Sequence, residues 1–165
     1  MTPTDDSGDG PGDPPASADD PTGVFVVETD AQRRDAFSVR RTVFVDEQGV
    51  DEAIEYDEYD DPGAEVTHFV AYDDGEPVGA ARLREYEDGV GKVERVAVLE
   101  SHRGEGWGAA LMDELEATAS ERYDELYLHA QLPAAGFYDD RGYVREGEQF
   151  EEAGIPHVAM RKRLS

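Results

Sequence analysis

The sequence predicts a mixed α+β (α/β) fold: a mostly antiparallel central sheet of about six or seven strands flanked by about four helices, behind an acidic tail. Three observations carry this. Val66 to Tyr72 and Pro77 to Arg84 read as strands and are joined by Asp73-Asp74-Gly75-Glu76, an Asp-Gly hairpin turn. Lys92 to Leu115 runs from an alternating strand through a glycine loop into helical spacing, the arrangement that makes one parallel pair. Tyr143 to Gln149 and Val158 to Leu164 then read as a closing antiparallel pair around Glu151 to Pro156.

Residues 1–22 are Asp, Pro, Gly, Ser and Thr with almost nothing apolar, which predicts a disordered acidic tail and a domain over 23–165. Val24 to Val27 reads as the first strand. Thr29 or Asp30 can cap a helix starting near Ala31, with Ala36, Val39, Val43, Phe37, Arg40 and Phe44 at helical spacing. Arg33, Arg34, Arg40 and Arg41 gather charge here and read as a solvated face. Asp46 to Glu65 holds ten carboxylates and no basic residue, and reads as solvated loop or short helix. Glu87-Asp88-Gly89 makes a turn into the strand Lys92 to Val98. A helix over 109–122, a strand over Leu126 to Ala130, and a short helix over Pro133 to Asp140, with Pro at its start, complete the order.

Net charge is −25, from 40 acidic and 15 basic residues. An excess of this size excludes nucleic acid and anionic membrane as expected partners, because phosphate binding rests on cationic neutralisation. It predicts a protein adapted to molar salt, where a Debye length of about 3 Å screens surface repulsion. Fifteen aromatics (Tyr 8, Phe 6, Trp 1) argue for a folded core rather than an acidic coil. With no cysteine, disulfides and cysteine chemistry are excluded, and no metal is expected. No apolar run approaches the roughly 20 residues of a membrane span and no signal sequence is legible, so the expected location is the cytoplasm. Monomer and homodimer are not distinguished.

The loop Arg103-Gly104-Glu105-Gly106-Trp107-Gly108 carries the chemical signal. Glycines let backbone N–H groups crowd an anion, the helix behind adds unpaired donors and its dipole, and Arg103 adds a guanidinium fork. The alternative is a plain strand-to-helix turn. A Walker loop is excluded, because no Gly-Lys-Ser/Thr follows, and a dinucleotide fold places its loop on the first strand.

Arg103-x-x-Gly106-x-Gly108 after Val96-Ala97-Val98 resembles the acetyl-CoA signature of the GCN5-related N-acetyltransferases (GNAT). Gln131-Leu-Pro-Ala134-Ala-Gly-Phe137-Tyr138 is similar to that family's Asn-x-x-Ala-x-x-x-Tyr segment, with Gln131 where Asn is usual and Gly142-Tyr143 where Gly-Phe is usual. Val43 to Gln48, the acidic stretch to Asp60, His68 and Gly154-Ile155-Pro156-His157 resemble the ElaA-like subgroup. The resemblance spans Val24 to Leu164. It implies a GNAT-like sheet, acetyl-CoA as co-substrate and transfer of an acetyl group to an amine. The alternative from another class is an acyl-CoA-binding module without turnover.

On that reading, N–H groups of Val96 and Val98, with Ala97 between them, would pair with the pantetheine arm as an added strand, and one would face the oxyanion. Gly104 to Gly108 would hold the pyrophosphate and Gln131 the arm. Trp107 either covers apolar ligand surface or packs in the core. Tyr138 is the candidate general acid for the departing thiolate. Glu94 is the candidate base, sharing a face with Val96 by strand parity, with Glu47 and Glu148 as rivals and His68 or His157 as relays through water. Glu47, Gln48 and His68 are expected at the acceptor. His68 is read equally well as structural.

Overall fold

The computed structural model describes residues 20–164. Most of the tail expected over 1–22 lies outside them. Pro21 and Thr22 are tied to the first hairpin: Pro21 O accepts from Gly75 N (2.8 Å) and Thr22 Oγ1 from Asp74 N (2.9 Å).

Seven strands form one sheet: β1 (Gly23–Val26), β2 (Val66–Asp73), β3 (Glu76–Glu87), β4 (Val90–Val98), β5 (Glu125–Gln131), β6 (Val144–Glu152) and β7 (Ile155–Arg163). Their order is β1-β2-β3-β4-β5-β7-β6, and only β4 and β5 run parallel. Four helices flank them: α1 (Asp30–Arg40), α2 (Glu52–Glu55), α3 (Trp107–Ala119) and α4 (Ala135–Asp140). The mixed, mostly antiparallel architecture read from the sequence is therefore present. The closing hairpin is tighter than expected, turning on Ala153 and Gly154 with φ of 53° and 76°.

Local chemistry explains the helix bounds. Thr29 caps α1 in a reciprocal box: its Oγ1 accepts from Gln32 N and Gln32 Oε1 accepts from Thr29 N, both at 3.1 Å. The helix then widens into a π-helical segment, Arg41–Glu47, the kind of insertion that re-aims side chains near functional sites. The short helix near Pro133 begins as a 3-10 turn, Leu132–Ala134, before α4. No helix among the described residues is long and apolar enough to cross a membrane.

The two sheet faces differ. One packs under α3 and α4 around Phe69, Val78, Leu83, Leu111, Met112, Leu115, Leu126 and Met160, all essentially buried. The other packs α1 on β2, β3 and β4 through a smaller set, Ala36, Val39, Val43, Val70, Tyr72, Ala80 and Ala97.

Beside that smaller set lies an ionic network that overturns the solvated reading of Arg40, Glu55, Asp57 and Asp60, while Arg34, Arg41 and most carboxylates of Asp46 to Glu65 are exposed as expected. Arg40, at 1% exposure, donates to Glu55 (2.7 Å) and to both oxygens of Asp60 (2.7 and 2.8 Å). Arg82, at 0%, donates to Asp57 (2.8 Å), Asp60 (3.0 Å) and Glu94 (2.7 Å). Burial works against the Asp60 charge, but Arg40 and Arg82 outweigh it and hold its carboxyl well below the usual range. Glu55, Asp57 and Asp60 of the acidic stretch thus supply counter-ions to an inward-pointing arginine pair, while the rest of the stretch stays at the surface. Buried charges of this kind persist only when every partner is present.

Candidate active site

The site is built where the parallel pair comes apart. Pairing of β4 with β5 runs from Val90↔Glu125 to Val93↔Leu128 and stops there. The edge of β4 from Glu94 to Val98 consequently has no strand beside it on the β5 side.

A bulge accompanies the divergence. Against β3 the register steps from Arg82↔Glu94 to Ala80↔Ala97, so Arg95 and Val96 together oppose Ala81. Arg95 sits at φ 57°, a left-handed conformation that non-glycine residues rarely hold. Its guanidinium bonds the Glu55 carbonyl (3.0 Å) and the Asp57 carboxylate (3.3 Å), tying the bulge to the acidic segment. The bulge also corrects a parity expectation. Ala80 and Arg82 share a face, so their partners Ala97 and Glu94 do too, and Val96 turns to the other side.

A cavity of about 300 Å³ occupies the divergence. Val96, Ala97, Val98, Arg103, Gln131 and Tyr138 line it, as does Gln48 from the end of the π-helical segment. Its floor is the part of the α1-side face that α1 leaves uncovered. On β5, Tyr127, His129 and Gln131 share that face and alternate with the buried Leu126, Leu128 and Ala130, and His129 and Gln131 reach the cavity.

Past Val98 the chain enters the glycine loop. Gly104 and Gly106 take φ of 82° and 94°, and a Cβ built on either meets nothing within 4 Å. Their conformation requires glycine, and the space above them is open. Among the described residues no side chain caps α3, which leaves its first N–H groups toward that space. Glu105 lies between these glycines, and Trp107, half-buried, packs against the core at the start of α3.

Arg103 is not a free cation. Its two terminal nitrogens donate to Glu47 at 2.8 Å each, and its Nε to the Val98 carbonyl at 2.9 Å. Glu47, expected at the acceptor, is thereby a clamp between the π-helical segment and the loop. Gln48 and Gln131 exchange two hydrogen bonds, 3.3 and 2.9 Å, across the cavity.

Two further expectations fail on geometry. Glu94 accepts from Arg82 and Arg84 and has Lys92 at 3.4 Å. Burial opposes its charge, yet Arg82 and Arg84 prevail and pull the carboxyl down to about 2. A carboxylate so committed is no general base. His68 lies beneath α1, edge-on to Phe37 at 5.4 Å and outside the cavity lining; burial, with the Arg40 charge, pushes its imidazole down to about 4. Glu148 is exposed on β6 and also outside the lining.

Tyr138 and His157 do line the cavity. Burial pushes the Tyr138 phenol upward, so it stays protonated, with its ring against Phe137 and Tyr143. Sequence reasoning missed His129 and Glu152, joined at 2.7 Å on the floor. The polar members of β5, recurring every second residue, were the available signal.

Comparison with known proteins agrees with this architecture. The family model described as Acetyltransferase (GNAT) domain matches residues 25–164. The chain is similar to the uncharacterized N-acetyltransferase YjcF of Bacillus subtilis, 43% identical over 141 residues, 84% of this chain and 98% of that one. It is 32% identical to protein ElaA of Escherichia coli over 109 residues, 64% of this chain and 71% of ElaA. The ElaA crystal structure superposes with a TM-score of 0.73 at 28% identity, covering 82% of this chain and 93% of that one. An acyl-CoA N-acyltransferase from Pseudomonas aeruginosa gives the same TM-score at 29% identity, covering 84% and 97%. With a family match across nearly the whole folded region and relatives of this closeness, the chain belongs to the GNAT acetyltransferases, in their ElaA-like subgroup, and is an acyltransferase.

Proposed function

We propose that the protein is an acetyl-CoA-dependent N-acetyltransferase that passes the acetyl group to a primary amine, on a small molecule or a peptide, by direct attack on the thioester. The observation that carries this reading is the unpartnered edge of β4 from Glu94 to Val98, continuous with the open glycine loop. An amide-bearing arm fits there as an added strand, with N–H groups of Val96 and Val98 as donors. The loop and the α3 N-terminus suit the pyrophosphate. Gln131 and Gln48 lie where such an arm would pass and would exchange their mutual bonds for bonds to it. Arg103, held by Glu47, keeps the loop in register with the cavity wall and is available to phosphate only by sharing.

The amine must lose a proton, the carbonyl oxygen must be stabilised and the thiolate must leave protonated. A β4 N–H serves the second need from a fixed direction. Tyr138 serves the third, because its protonated phenol faces the cavity. Tyr138→Phe tests this. Turnover, read as thiol release with an amine panel, falls by about 100-fold while acetyl-CoA affinity holds. Unchanged turnover contradicts the acid assignment.

A further inference from the structure

Most polar side chains at the cavity are already engaged. Glu94 is held by arginines, Arg103 by Glu47, and the two glutamines by each other. His129 has Glu152 on Nδ1 at 2.7 Å and the Tyr127 hydroxyl on Nε2 at 3.1 Å.

His157 is different. Its Nδ1 lies 2.6 Å from the Ile155 carbonyl, and a carbonyl only accepts, so the proton is on Nδ1. In the neutral ring that leaves the lone pair on Nε2. Among the described residues Nε2 makes no hydrogen bond. The ring is fixed as well as oriented: it stacks on Phe150 of β6 (6.0 Å, 22° between planes) and stands in register opposite Gln131 of β5. It is buried, yet it lines the cavity on the same side as Gln131.

We propose that His157 is the base that deprotonates the acceptor, an inference that rests on the N-acetyltransferase reading above. Nε2 takes one proton from R–NH3+, giving R–NH2 and an imidazolium. The nitrogen lone pair forms the N–C bond to the thioester carbon and the C–S bond breaks. The thiolate takes the Tyr138 proton, and the surplus proton on the new amide nitrogen returns to the phenolate. His157 releases its proton to water in the cavity, so the sum is R–NH3+ and thioester to amide, thiol and one H+. The charged and titratable groups that share the cavity lining with His157 are His129 on β5, Tyr138 on α4, Glu152 on β6, Lys92, Glu94 and Arg95 on β4, Glu55 on α2 and Arg103 at the glycine loop. Glu94 is neutralised by its arginines and Lys92. The bond to His129 holds the Glu152 carboxyl low, and His157 adds to that.

The test uses two amines of different basicity, each with acetyl-CoA and the full-length protein. Ethylamine is almost wholly an ammonium near neutral pH, whereas 2,2,2-trifluoroethylamine is mostly uncharged and needs no base before attack. His157→Gln slows transfer to ethylamine by about 100-fold and leaves trifluoroethylamine within about threefold. The wild-type kcat/KM for ethylamine rises with pH through an ionisation that the variant lacks and that trifluoroethylamine does not report. Equal losses on both amines in a folded variant mean a structural role and overturn the proposal, as does no loss. If the variant does not fold, the wild-type profiles decide, and an identical ionisation with both amines overturns it. No transfer to either amine by wild type with acetyl-CoA bound overturns it too. Failure to bind acetyl-CoA at all removes the parent reading instead.

Discussion

The two faces of the sheet are held by different forces. Under α3 and α4 the contact is apolar, and Leu111, Met112 and Leu115 are all fully buried. Under α1 the apolar set is small, and five cations (Arg40, Arg82, Arg84, Lys92, Arg95) interlock with four carboxylates (Glu55, Asp57, Asp60, Glu94). A chain of net charge −25 thus commits five of its fifteen basic residues to one network on this face. The apolar face tolerates approximate shapes, because burial is non-directional. The ionic face needs each partner, because a lone charge there has no water to turn to. The cavity opens on the ionic face, so the network also fixes the wall and bulge that shape it.

The largest expected effect breaks the ionic face. Arg82→Ala takes one cation from Asp57, Asp60 and Glu94 together, leaving Asp60 to Arg40 and Glu94 to Arg84 and Lys92, and costs about 3–5 kcal/mol in chemical denaturation. That loss shrinks on moving from pH 7 to pH 5, because a buried carboxylate that has lost a cation is pushed upward by desolvation and relieved by protonation. Leu115→Ala on the apolar face costs about 3 kcal/mol from lost contact and residual cavity, and shows no such pH dependence. Equal pH dependence in the two variants would contradict the division drawn between the faces.

A smaller effect comes from His68. Its folded value is about 4, below the ordinary 6.5, so the unfolded chain takes the proton first. Stability is whole above pH 6.5 and declines as pH falls towards 4, by an amount on the order of 2 kcal/mol. Glu94, lowered from 4.5 to about 2, adds a loss of the same sign between those values. Thermal melts of wild type and His68→Gln at pH 7 and pH 5 check this. The variant should lose less on acidification, and a wild type indifferent to the change would contradict the buried neutral imidazole.

What the sequence disclosed follows the same division. The strands under α3 and the glycine loop were legible because their signals are local: alternation, Asp-Gly, and glycines at fixed offsets before a helix. The ionic network was not, because Arg40 finds its partners 15 and 20 residues away, among many acidic residues offering the same chemistry. Glu94 was misplaced for a subtler reason. Parity along β4 holds only in an unbroken strand, and nothing about Arg95 as a residue type announces a left-handed bulge. In the site, Tyr138 and Gln131 were singled out by resemblance to the family's segment, whereas His129 and Glu152 meet only when β5, β7 and β6 are assembled.

The most direct test of the account is a calorimetric titration of acetyl-CoA into wild type and Gly108→Glu, in molar KCl so that surface carboxylates are screened. Gly108 sits in the first turn of α3 with ordinary space around a Cβ, the nearest atom being Phe137 Cζ at 3.6 Å, so the substitution adds charge at the anion site without backbone strain. The account predicts one-to-one binding with Kd on the order of micromolar for wild type, and a loss of at least about 100-fold in the variant. No heat from a wild-type protein shown to be folded by circular dichroism, or equal binding by both, would contradict the assignment of the glycine loop and the β4 edge to the co-substrate.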